Sequence, residues 1–125
     1  MQDIFPRMAG SEFHVFLSSV SFGGYNSALK KAIDRYSALG LPTYTFNRGE
    51  FHHPPRYPNP EKFLSVGILK EEDSRQEATF ELVSERLAVS SFVSSWGSVI
   101  LYQDRREEEI RESIKKGFTE MGPVK

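Results

Sequence analysis

The sequence predicts an α+β domain: an antiparallel sheet with two helices packed on one of its faces, laid out as a strand-helix-strand-strand module followed by a partial second module. Three observations lead there. A chain of 125 residues suits a single hydrophobic core. Runs rich in aromatic and β-branched residues, such as "FHVFLSSVSF", "TYTFN" and "KFLSVGIL", carry the alternation of strands. Two other stretches repeat apolar residues at helical spacing, and each ends in a glycine with a proline close behind.

Taken in order, residues 1–12 lack periodicity and contain Pro6 and Gly10, so they read as a flexible leader to one domain over 13–125. "FHVFLSSVSF" is the first strand, with Phe13, Val15 and Leu17 on the face opposite His14 and Phe16. "GGY" breaks it. Asn26 then caps a helix whose stripe is Ala28, Leu29, Ala32, Ile33, Tyr36 and Leu39, stopped by Gly40 and Pro42. "TYTFN" is the second strand. "KFLSVGIL" is the third, with Phe63, Ser65 and Gly67 alternating against Leu64, Val66 and Ile68.

"KEEDSRQE" reads as a solvated charged link. In the apolar stretch that follows, "ATFELVSER" fits a strand or a helical turn, "LAVSSFVSS" reads as a strand, and "SVILY" fits either. Asp104 with Glu107 three residues on forms a capping box before a second helix. That helix has the narrow stripe Ile110, Ile114, Phe118 and Met121, and Gly122 and Pro123 end it. "FLSSVSFGG" can be laid over "FVSSWGS" as a trace of internal repetition; a chance match of two serine-containing strands explains it equally well.

Composition narrows the function. The absence of cysteine removes thiolate zinc sites, thiol nucleophiles and redox pairs, and makes the cytosol the default setting. Sixteen basic against seventeen acidic residues leave a net charge of -1, so no global field attracts nucleic acid or an anionic membrane, although a local patch is compatible with that balance. No apolar run reaches the roughly 18 residues of a membrane span, and the start "MQDIFPRMAG" is not a signal peptide.

The segment "FHHPPRYPNP" gathers two histidines, four of the seven prolines, an arginine and a tyrosine. Adjacent histidines on an extended chain point apart and so do not chelate one metal together; His52 and His53 read as bystanders. Pro54, Pro55 and Tyr57 form a pre-extended ridge of the kind aromatic-grooved modules read, against the plainer alternative of a stiff connector between strands. The serines of "VSSFVSSW" lack a nucleophile elbow, and the lysines after "SFGGY" fall too late for a phosphate loop. "DRREEEIRESIKK" is a solvated helix whose stripe would otherwise seat a second chain.

The layout resembles the superfamily that joins SOUL haem-binding-like domains with gyrase-inhibitor-like effector-binding domains. The similar stretches are "SFGGY" running into a helix, "TYTFNRGEFHHPPRYPNPEKFLSVGIL" as two strands joined by a proline-containing loop, and "ERLAVSSFVSSW". The resemblance implies a continuous antiparallel sheet with a concave, ligand-holding side, and haem as one possible ligand. It also implies two further strands after the second helix, where this sequence ends at Lys125. Truncation, or a homodimer that completes the sheet, would account for that. The family's glutamate-tyrosine catalytic pair has no counterpart in motif.

The expectation is therefore a non-catalytic domain that binds an apolar or planar small molecule, with Tyr44, Phe46, Trp96 and Tyr102 lining the pocket. The rival is a protein-interaction module using the loop 51–60, through Pro54, Pro55 and Tyr57, or an exposed sheet edge. An enzyme is not expected, because no acid-base or nucleophile constellation is visible.

Overall fold

The computed structural model describes residues 3–57 and 62–123. The chain is α+β. Helix α1 (Ile4–Ala9) leads into strand β1 (Phe13–Ser21), a short return strand β2 (Gly24–Tyr25), helix α2 (Ser27–Tyr36) and a 3-10 turn (Ser37–Leu39). A small hairpin, β3 (Thr45–Asn47) and β4 (Glu50–His52), precedes β5 (Lys62–Leu69), α3 (Ser74–Ser90), β6 (Ser95–Tyr102), α4 (Glu107–Thr119) and β7 (Gly122–Pro123). The main sheet has the order β2-β1-β5-β6-β7, and the hairpin stands apart from it.

The sheet is mixed, so the antiparallel expectation holds only in part. β1, β5 and β6 are parallel, while β2, β7 and the hairpin pair antiparallel. The reason can be read on β5: Phe63, Leu64, Ser65, Val66 and Gly67 are all buried. A strand covered on both faces carries apolar residues at successive positions, which is the mark of a parallel centre.

The helices occupy both faces rather than one. Phe63, beside His14 and Trp96 in the ladder, packs with Phe16 and with Ala88 and Val89 of α3. Tyr36 of α2 meets His14 on that same face. Leu64, Val66 and Leu101 point the other way and pack with Ile110 and Ile114 of α4. Successive crossovers of one hand, advancing from β1 to β5 to β6, place α2 and α3 together. The chain after β6 turns back antiparallel and covers the opposite face.

Several local readings change. "ATFELVSER" lies wholly in helix α3, and "LAVSSFVSS" is not a strand: residues 87–90 end the same helix, 91–94 form the turn after it, and Ser95 opens β6. Asp73 is its N-cap: one carboxylate oxygen accepts from the backbone N–H of Arg75 and Gln76, both at 3.1 Å, and the other accepts from the Gln76 side chain at 2.9 Å. Helix α4 starts at Glu107, after Asp104. There the Glu109 carboxylate accepts from the Arg106 backbone N–H and guanidinium, both at 3.4 Å. The supposed leader includes α1, and the carbonyl of Met8 accepts a hydrogen bond from His14 Nε2 at 2.9 Å. Asn26 caps α2 as expected, its Oδ1 accepting from Leu29 N–H at 2.9 Å.

Both hairpins close through two left-handed residues, Phe22 and Gly23 (φ 50° and 80°) and Arg48 and Gly49 (φ 47° and 86°). This backbone matches the twist of the flanking strands and explains glycine in second place.

Candidate functional site

The apolar stripe of α2 does not close onto a core. No residue of α2 is fully buried; Ile33 and Tyr36, with Leu39 just beyond, are half-exposed. They face Val83 and Leu87 of α3, also half-buried, across a cleft of about 380 Å³. The Tyr25 ring, Phe92 and Pro55 extend the apolar lining. Lys30, Asp34, His52, His53, Ser90 and Ser91 supply the polar groups. An amphipathic helix normally buries its stripe, so a stripe left half-open against a second one makes a concave apolar site.

One wall is a clipped piece of irregular chain. Leu41 N–H donates to Pro54 O at 2.8 Å, and Arg56 N–H donates to Leu39 O at 3.0 Å, with Gly40 and Pro55 bridged between them. The prolines therefore serve as a braced connector along the cleft, and Pro55 lines it. Of the three ridge residues, Pro54 and Pro55 are half-buried and Tyr57 is the exposed one, at 49%. Pro58 and Pro60, at the end of the same segment, lie outside the described residues.

The hairpin is fixed to α3 by its polar side. Asn47 Nδ2 donates to Val89 O at 2.9 Å. The Glu50 carboxylate accepts from Arg86 at 2.5 Å and from His52 Nε2 at 2.6 Å. Those two hydrogen bonds, His52 first and Arg86 second, hold the Glu50 carboxyl below its usual range. His53 is fixed by its own Nδ1, which donates to Thr43 O at 3.0 Å, while its ring lies 4.3 Å from that of Tyr44.

The four aromatics expected to line a pocket do not converge. Tyr44 and Phe46 sit on the outward face of the hairpin, 68% and 64% exposed, with Phe46 edge-on to Phe51. Trp96 packs into the core with Phe63, Ala88 and Val93. Tyr102, six residues along the same strand, donates its hydroxyl to Glu77 at the opposite end; burial, and then the Glu77 carboxylate, push its phenol up to about 12.

The lining residues were visible in the sequence under another description. Ile33, Tyr36 and Leu39 carry the helical stripe that implies a core face, and His52 and His53 read as bystanders. Val83 and Leu87 lay in a stretch whose helical period was hidden by serines. Beneath the cleft, Tyr25 OH meets Ser65 Oγ at 2.5 Å and Ser84 Oγ at 3.4 Å, and Ser84 also donates to Phe80 O at 2.8 Å. Burial raises the Tyr25 phenol pKa against the pull of both serines.

Ser90 Oγ, at the cleft, donates to Leu87 O at 3.0 Å, a bond within its own helix. Of the three histidines, His52 and His53 are the two that line the cleft and so could offer a nitrogen to haem iron. Among the described residues no group of three or more His, Asp or Glu side chains is placed to hold a metal ion. Nor is any described helix long and apolar enough to cross a membrane.

Comparison with protein-family models, with curated proteins and with solved structures finds no match.

Proposed function

We propose that the chain is a non-catalytic binding domain that takes a small, mainly apolar molecule in the cleft between α2 and α3. The observation that carries this reading is the half-open apolar stripe of α2, Ile33, Tyr36 and Leu39, facing Val83 and Leu87 across about 380 Å³. A cleft of this size and lining is in the range used for small ligands. The resemblance to the SOUL and gyrase-inhibitor-like group adds haem as one planar candidate and the cytosol as the setting, although the continuous antiparallel sheet it implies differs from the parallel centre of this one. The pocket residues expected from the aromatic pattern, Tyr44, Phe46, Trp96 and Tyr102, give way to those of the cleft.

The test is a cleft-filling substitution. Val83→Trp should abolish binding of an apolar fluorophore such as 1-anilinonaphthalene-8-sulfonate while leaving the thermal midpoint unchanged or raised. Undiminished fluorophore binding in that variant would place the binding elsewhere and overturn the reading.

A second reading, docking of a partner protein, draws support from the outward face of the hairpin. There Tyr44, Phe46 and Phe51 are each more than 60% exposed, and no described element covers them. Tyr57 stands at the end of the braced connector. Exposed aromatics of this kind are enriched at interfaces. A Phe46→Ser, Phe51→Ser variant that still captures every partner of the native chain would remove this reading.

A further inference from the structure

The rim of the cleft has two features that narrow the ligand's chemistry. The first is charge. Lys30 is paired with Asp34 one helical turn on, and Glu50 is held by both Arg86 and His52. The two charged side chains of the lining, Lys30 and Asp34, thus face one another, and Glu50 beside His52 already has its donors. A ligand carrying a carboxylate or an ammonium group would have to break one of these pairs and lose its own hydration in a mainly apolar cleft.

The second feature is the orientation of the two histidines. A carbonyl or carboxylate oxygen can only accept, so the ring nitrogen that meets it must carry the proton. His53 therefore donates Nδ1–H to Thr43 O, and His52 donates Nε2–H to Glu50. In the neutral form of each ring the other nitrogen, Nε2 of His53 and Nδ1 of His52, is then an acceptor. The cleft has apolar walls from Ile33, Leu39, Val83 and Leu87, and His52 and His53 are among the residues that line it at the end formed by the hairpin.

We infer that the cleft selects an uncharged apolar molecule bearing a hydroxyl group, a phenol or an alcohol, whose O–H is accepted by His53 or His52. This rests on the small-molecule reading above and sharpens it. It also gives a purpose to the bonds Glu50–His52 and Thr43–His53, each of which holds one ring in a single tautomer.

The experiment uses the full chain at pH 8 and three probes of one shape, 2-naphthol, 2-methoxynaphthalene and 2-naphthoate, followed by amide chemical shifts. 2-Naphthol should bind about 5- to 10-fold more tightly than its methyl ether, the worth of one hydrogen bond. The perturbed amides should cluster at residues 33–40 and 83–92. In a His52→Phe, His53→Phe variant that keeps its dispersed spectrum, the preference should fall to about unity while the ether still binds.

Equal binding of naphthol and ether to the native chain would overturn the hydroxyl inference and leave the cleft reading standing. Tighter binding of naphthoate would overturn the claim of an uncharged ligand. A preference that survives in the double variant would remove the histidines from the recognition. Failure of all three probes to perturb the cleft would sink the small-molecule reading itself. If the double variant loses its fold, His52→Gln and His53→Gln, made separately, each retain a polar side chain in place of one ring; one of them should lower the preference by at least half, and an unchanged preference in both counts against the inference.

Discussion

Polar residues inside this domain occur where a hydroxyl or ring nitrogen finds a partner. Ser65 and Ser84 are fully buried, and the Tyr25 hydroxyl joins them beneath the cleft. Replacing Tyr25 by Phe keeps the ring but leaves Ser65 Oγ without that partner. Such a buried group costs about 1–3 kcal/mol, so urea unfolding of Tyr25→Phe should show a midpoint lowered accordingly with an unchanged slope. Two half-buried carboxylates respond to acid. Hydrogen bonds from His52 and Arg86 lower the pKa of Glu50, and those from Gln76 and then Arg75 lower that of Asp73. Their stabilisation is fully present above the unfolded values, near pH 4 to 4.5, and is lost as pH falls through the lower folded values. Asp73→Ala and Glu50→Gln should thus melt at lower temperature than the native chain at pH 7. The difference should shrink below about pH 4, as calorimetry across that range would show.

At the scale of elements, close approach decides two packings. α4 lies so near β6 that a Cβ on Gly117 would stand 2.1 Å from Val99 Cγ2, and one on Gly97 would stand 2.9 Å from Met121 Cγ. Alanine in a helix normally gains about 1 kcal/mol over glycine. Here the stiff valine cannot yield, and overpacking costs about 1–3 kcal/mol. Gly117→Ala should therefore destabilise, and Gly117→Ala with Val99→Ala should recover part of the loss, a coupling that a double-mutant cycle measures. Helix α3 shows why one element was hard to read. Its inward positions are Phe80, Ser84 and Ala88, four residues apart, with Val89 beside them. A serine and an alanine in the middle of the stripe erase the apolar period, while Val89, Phe92 and Val93 imitate a strand. Asp73 followed by Gln76 was the legible sign of a helix start. β1 inverts the usual pattern too. Val15 and Leu17 are 51% and 61% exposed, whereas His14 and Ser18 point inward, satisfied by Met8 O and by the Asn26 N–H.

At the scale of the molecule, three parallel strands with helices on both faces form one body, and the hairpin is an appendage clipped to α3. Local opening should follow that division. Amide exchange should be slowest in β5 and the buried turns of α3, and fastest in α1 and residues 45–52; protection of the hairpin equal to that of β5 would contradict it. The sequence by itself determined the α+β class, the register of alternation in β1 and β5, the span and cap of α2 and the apolar stripe of α4. These depend on local periodicity and on capping chemistry, which a short window contains. Strand direction, the face each helix covers and the site were decided by tertiary structure. A stripe such as Ile33, Tyr36 and Leu39 has the same spacing whether it meets a core or an opening. Likewise, nothing local to His52 and His53 tells that Glu50 and Thr43 orient them beside a helix that begins more than 20 residues further on. Such facts depend on contacts between distant segments, and only the packing of the whole chain creates them.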